Sequence, residues 1–147
     1  MSRYIRNIAG RSIIFVLLLL FDRTTKYWAE FSLPERGNVV FPSFALHYNN
    51  GISFSLLKNY PHVSLATAIL GIFTLGFFCI KDAALRSLYG VTFLWAGALG
   101  NLADRLLYGY VVDWIYVGGF INAADIWLSI GGVLVLIYCV KINRSLK

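Results

Sequence analysis

The fold class this sequence predicts is an all-α integral membrane protein of four transmembrane helices, with a small patch of β structure outside the bilayer, on three observations. The 147 residues are 59% hydrophobic and only 14% charged, with strongly positive mean hydropathy, which excludes an ordinary soluble domain. Four stretches each supply about 20 mostly apolar residues bounded by charge or turn residues. The longest connection, 31–61, is rich in β-branched and aromatic residues. No shift in composition marks a second unit, so 1–147 reads as one membrane-embedded domain.

The first helix is expected over about 10–30. Arg3, Arg6 and Arg11 before the run Ile13 to Phe21 imitate a signal peptide, but no small-x-small cleavage site follows, so the segment reads as a retained helix. In the connection after it, Asn50-Gly51 is a hairpin turn signal. Val39 to Phe41 and Phe44 to Tyr48 would form one side of a small sheet and Ile52 to Leu57 the other; an amphipathic cover over the membrane surface explains the pattern equally well. The remaining helices are expected over 62–80, 86–107 and 122–140.

Basic residues settle orientation. Arg3, Arg6, Arg11, Lys81, Arg86, Lys141, Arg144 and Lys147 all fall at ends that the positive-inside rule makes cytoplasmic. Asp22, Glu30, Glu35, Asp104, Asp113 and Asp125 then lie toward the extracytoplasmic face, leaving Asp82 as the one acid inside. The net charge of +6 belongs to this topology rather than to nucleic-acid binding, because the basic residues form no stripe. Cys79 and Cys139 end apolar runs on the cytoplasmic side and read as packing residues. His47 and His62 are too far apart, with too few neighbouring ligands, to suggest a metal site, and no cofactor is expected.

Acids are expensive at membrane depth, costing roughly 2.5 to 3.5 kcal/mol at a helix centre, so several of them imply pairing, a wet cavity and usually function. Asp22 and Lys26, four apart, share a helix face. They either frame a polar site or form an interfacial pair beside the membrane anchors Tyr27 and Trp28. Asn101, Asp104 and Arg105 share a face by their three- and four-residue spacing, and Arg105 is able to hold a carboxylate in its planar fork. The run Val111 to Ile115 is too apolar for a free loop and presents Asp113; Asn122 and Asp125 sit one turn apart at the start of the fourth helix. Two carboxylates brought close in a low dielectric cannot both ionise, so one becomes an acid and the other a base.

Together Asp22-x-x-x-Lys26, Asn49-x-Gly51 with Phe54-Ser55, Gly100-Asn101-x-x-Asp104-Arg105, Val111-Val112-Asp113 and Asn122-x-Ala124-Asp125 resemble the bacterial lipoprotein signal peptidases, or signal peptidase II, aspartyl peptidases of the inner membrane. The resemblance spans nearly the whole chain. It implies that Asp113 and Asp125 are the catalytic pair and that Asp22, Lys26, Asn49, Gly51, Asn101, Asp104, Arg105 and Asn122 shape the site. It also implies an extracytoplasmic β-cradle in 31–61, no metal, and prolipoprotein substrates cut before a cysteine carrying diacylglycerol. Membrane lipids are the expected surroundings, a monomer the expected state. Trp114, Tyr116, Phe120 and Trp127 would line the substrate boundary, or belong to an ordinary aromatic belt.

The chain departs from that pattern at Arg23, where Gln is usual, at Ile52-Ser53, at Ile121, and in the short span between Asp113 and Asp125. Two other classes compete. A proton- or ion-conducting protein would also keep acids in helices, but along a path reaching both faces. A non-enzymatic assembly subunit would use Gly71 and Gly76, or Gly131 and Gly132, for close helix packing, but leaves the two converging acids unexplained.

Overall fold

The computed structural model describes residues 3–35, 43–51 and 60–145. Its helices are α1 (Arg3–Ser32), α2 (Pro61–Lys81), the one-turn α3 (Ala83–Arg86), α4 (Tyr89–Tyr108) and α5 (Ala123–Ser145). The strands are β1 (Ser43–Asn49), β2 (Val111–Tyr116) and β3 (Phe120–Ile121).

Local chemistry sets the boundaries. Pro61 opens α2, where its missing N–H costs nothing, and Lys81 closes the helix. The Asp82 carboxylate then accepts the N–H groups of Ala84 and Leu85 at 2.8 and 3.0 Å, which starts α3 just ahead of the expected third segment, and that segment itself begins three residues later than expected, as α4. Gly109 ends α4 in the left-handed conformation at φ 80°, its N–H returning to the Arg105 carbonyl at 3.1 Å. Gly118, at φ 88°, lies in the three-residue turn joining β2 to β3.

The sheet has the order β1-β2-β3 and is antiparallel throughout. Ser43 pairs with Tyr116 and Asn49 with Val111, the register shifting between Phe44 and His47. Phe44 to Tyr48 is thus strand, as the sequence suggests, but its described partner is β2, far away in the chain. The expected partner Ile52 to Leu57 lies outside the described residues, as do Val39 to Phe41 and Phe54-Ser55. The small sheet is therefore not confined to the connection between the first two long helices. Two of its three strands come from the span between α4 and α5, because the run from Val111 needs a cover for Val111 and Val112, each 1% exposed.

Helix α4 is the centre of the bundle and touches α1, α2 and α5. Its approach to α5 depends on glycine. A Cβ on Gly97 would sit 2.4 Å from the Ala124 carbonyl oxygen, and one on Gly131 would sit 2.7 Å from that of Gly90. Such small-residue contacts replace the hydrophobic drive that lipid cannot supply. Large apolar side chains instead face outward, among them Leu17 and Leu20 on α1, Phe73 and Ile80 on α2, and Val133 and Leu136 on α5. Within a soluble protein those faces would be a liability; against lipid they are the solvated surface.

Among the described residues, two helices, over His62–Lys81 and Ala123–Arg144, are long and apolar enough to cross a membrane. Helix α1 carries charge at both ends, and α4 packs against α1, α2 and α5. Cys79 is buried, whereas Cys139 is exposed on α5 and packs no core.

Candidate active site

The large side chains that this protein buries most completely are mainly polar: Lys26, Asn122, Asp22, Asp104 and Asp113 stand beside Val111 and Val112. Buried charge survives only when paired, and the pairing here is dense. The Lys26 ammonium lies 2.8 Å from Asp22 Oδ2 and 2.8 Å from Asp104 Oδ2. Arg23 pairs with the other oxygen of Asp104, its guanidinium 5.9 Å from the centre of the Tyr108 ring. Two carboxylates and two cations thus form a formally neutral quartet between α1 and α4. Gly100 makes room for it, since a Cβ there would come within 2.8 Å of Asp22 Oδ2. The remaining oxygen of Asp22 accepts the Ala124 N–H at 2.9 Å, tying α1 to the first turn of α5.

From this quartet a chain of amides leads to the two acids singled out in the sequence. Lys26 donates to Asn101 Oδ1 at 3.1 Å, and Asn101 Nδ2 donates to Asp125 Oδ1 at 2.8 Å. Because an ammonium is only a donor, Lys26 fixes which end of the Asn101 amide faces Asp125. Asn122, just ahead of α5, forms a reciprocal capping box with Asp125: its Oδ1 accepts the Asp125 N–H, and Asp125 Oδ2 accepts the Asn122 N–H, each at 3.1 Å. With its oxygen so engaged, Asn122 turns its NH2 to Asp113 Oδ1 at 2.6 Å. Asn49 repeats the device, accepting the Gly51 N–H at 2.9 Å and donating to Asp113 Oδ2 at 2.9 Å. Asn122 therefore joins the two acids, and every carboxylate oxygen of the pair accepts one N–H.

Asp113, at the buried start of β2, has its pKa pushed up from 3.8 to about 7. Burial is the main cause and the nearby Asp125 charge the second, outweighing the donors Asn49 and Asn122. The pair opens onto a cavity of about 610 Å³ between α2, α4 and α5, with Asn49, Asn101, Arg105 and Phe120 at its polar end.

Arg105 differs from expectation. Rather than forking onto a carboxylate, it donates to Ser64 Oγ at 2.8 Å, the Gly51 carbonyl at 3.1 Å and the Asn101 carbonyl at 3.2 Å. The physical reason is rotation along α4: Asp104 looks toward α1, where Lys26 and Arg23 await it, and Arg105, about 100° further round, looks toward α2. Ser64, 2% exposed, completes the brace by donating to the Gly51 carbonyl at 2.7 Å.

All ten residues expected to form the site thus lie at one end of the bundle. Ser64 and the pairing role of Arg23 were not expected. A serine in the first turn of an apolar helix carries no spacing signal, and Arg23 stood out only as an unusual neighbour of Asp22. Of the four expected boundary aromatics, Phe120 lines the cavity, while Trp114 packs edge-on against Trp28 and Trp127 against Phe21, with centroids 5.7 and 5.8 Å apart.

Residues 14–141 match the family model described as signal peptidase (SPase) II. A lipoprotein signal peptidase from Staphylococcus aureus strain JH9 is 34% identical over 151 aligned positions, covering 94% of this chain and 93% of that protein. One from Fusobacterium nucleatum is 31% identical, covering 90% and 87%. Among solved structures, a bacterial membrane enzyme determined by the in meso method at 2.3 Å resolution superposes with a TM-score of 0.78 at 31% identity, covering 95% of this chain and 93% of that one.

Proposed function

The chain belongs to the signal peptidase II family of lipoprotein-processing aspartic proteases, and from that premise we propose that Asp113 and Asp125 are its catalytic pair. The observation that carries the assignment is the set of hydrogen bonds from Asn122, which holds buried Asp113 and half-buried Asp125 together at the mouth of one apolar cavity. The other eight expected site residues, Asp22, Lys26, Asn49, Gly51, Asn101, Asp104, Arg105 and Asn122, bind or orient.

The two acids divide the work by environment. Asp125 lies in the first turn of α5, where the helix dipole and the Asn122 N–H favour a negative charge. Asp113, with its pKa near 7, holds the proton that the pair shares. Ionised Asp125 takes a proton from a water molecule as its oxygen attacks the scissile carbonyl, and Asp113 gives its proton to the carbonyl oxygen. The resulting gem-diol collapses when Asp125 passes its proton to the leaving nitrogen and Asp113 recovers one from a hydroxyl. The C–N bond breaks, leaving a carboxylic acid on the signal peptide and an amine on the cysteine, with both aspartates restored; the new acid then gives its proton to the amine. The amides of Asn49, Asn101 and Asn122 hold the carboxylates through both steps without reorganising.

The substrate is a prolipoprotein cut before its diacylglyceryl cysteine. Four spans, α1, α2, α4 and α5, cross the bacterial inner membrane; the termini are cytoplasmic and the acids and sheet extracytoplasmic. The chain works as a single-domain monomer among membrane lipids, without a cofactor or nucleic acid. Ion conduction fits less well, because Asp22, Asp104, Asp113 and Asp125 gather at one end while Asp82 caps α3.

The test is reconstitution in lipid micelles with a diacylglyceryl-modified prolipoprotein, signal-peptide release being read by gel shift. Release by the wild type, insensitive to chelator and lost in Asp113→Asn and Asp125→Asn variants that still insert, is the expected result. Activity in either variant within about tenfold of wild type would remove that residue from the pair, since positioned acid–base groups contribute about 10²- to 10⁴-fold.

A further inference from the structure

The cavity continues far beyond the two acids. Ser64, Thr67, Ala68, Gly71, Leu75 and Phe78 line it along one face of α2. At 1.5 Å per residue, Ser64 to Phe78 spans about 21 Å, and Gly71 lies about 10 Å below Ser64. One leaflet of hydrocarbon is about 15 Å deep, half of a bilayer core. The groove thus begins beside Asp113 and Asp125 and runs the depth of a leaflet.

Its dimensions and walls select the occupant. A helix 10–12 Å across would displace on the order of 2,000 Å³ over that length, more than the half-open groove can enclose, so a helix would rest along its open side rather than within it. An extended peptide would bring N–H and C=O groups that need partners at membrane depth. The groove offers few: the Thr67 hydroxyl donates to the Ser64 carbonyl and the Ser129 hydroxyl to the Asp125 carbonyl, each at 2.9 Å. Thr74 adds a third hydroxyl, and the remaining walls at this depth are Ile72, Leu94, Ala98 and Leu128. A slender chain without polar groups fits all three constraints. Gly71 is open on its groove side, since a Cβ there would meet nothing within 4 Å.

We propose that this groove seats one acyl chain of the substrate's diacylglyceryl group and that Gly71 sets how deep the chain runs, an inference that rests on the lipoprotein-peptidase reading above. Lipid is as apolar as the groove, so seating the chain adds little affinity. It positions the lipidated cysteine, and with it the preceding peptide bond, over the two acids.

The experiment compares kcat/KM for prolipoproteins carrying short acyl chains, about eight carbons, and long ones, about sixteen, which fill a leaflet. Wild type, Gly71→Leu and Gly132→Leu are assayed in the same micelles, their folding checked by melting temperature. Gly132 is also open to added volume but lies outside the groove. The long-to-short ratio should fall about tenfold in Gly71→Leu, a modest part of the roughly 100-fold that a misplacement of about 1 Å costs. Gly132→Leu should keep the wild-type ratio. An unchanged ratio in Gly71→Leu, or equal losses on both substrates, would overturn the acyl-chain assignment while leaving the peptidase reading standing. Wild type that is folded yet cleaves neither substrate would overturn both.

Discussion

Replacing Lys26 by Met tests whether the buried quartet holds the site in place. Lys26 is fully buried, 2.8 Å from a carboxylate oxygen on each of Asp22 and Asp104 and 3.1 Å from Asn101 Oδ1. Methionine fills much of the same volume but strands Asp22 without a cation and leaves Asp104 only Arg23. Breaking a buried ion pair by removing one partner costs about 3–5 kcal/mol, because the remaining charge keeps its desolvation penalty. At roughly 2–4 °C per kcal/mol for a chain of this size, the melting temperature in micelles should drop by about 6–20 °C. Asn101 also loses the donor that fixes its amide, so Asp125 loses a reliable N–H and kcat should fall by more than KM changes. Adding Asp22→Asn to Lys26→Met should restore a large part of the stability but not the activity, since it removes the stranded charge and keeps an oxygen for the Ala124 N–H. Wild-type melting and turnover in Lys26→Met would refute the reasoning.

Three further outcomes follow from the same contacts. Asp113 binds its proton more tightly folded, near pH 7, than unfolded, near 3.8, so its contribution to stability is full below about pH 4 and lost as pH rises toward 7. The melting temperature of wild type relative to Asp113→Asn should therefore fall between those limits and then run parallel; a constant difference across that range would contradict the raised pKa. Arg105→Ala should cost more than about 2 kcal/mol in unfolding experiments and most of the activity, because the buried Gly51 carbonyl and Ser64 lose a charged donor; wild-type stability would dismiss its bracing role. Gly97→Ala should destabilise by about 1–3 kcal/mol and lower turnover, its new methyl lying 2.4 Å from the Ala124 carbonyl oxygen beside Asp125; unchanged melting and cleavage would show that α4 and α5 need not approach so closely.

By itself the sequence determined the kind of protein and marked the residues proposed for its site. Apolar runs of membrane length, acids where lipid penalises them, and the spacings of Asp22 with Lys26 and Asn122 with Asp125 are all local, and a helix of known pitch turns such spacing into a shared face. What the tertiary structure decided was which face meets which neighbour. Sequence put Asp104 and Arg105 together; the bundle sends one to Lys26 and Arg23 and the other to Ser64 and the Gly51 carbonyl. Sequence marked a turn at Asn50-Gly51; the structure pairs the strand before it with residues from Val111 onward. The glycines at 90, 97 and 131 hold the reason, for the depth at which α4 and α5 meet depends on backbones touching where a side chain is missing. Spacing along one chain cannot encode that depth, yet the position of Asp125 against Asn101, and of Asp113 against Asn122, depends on it.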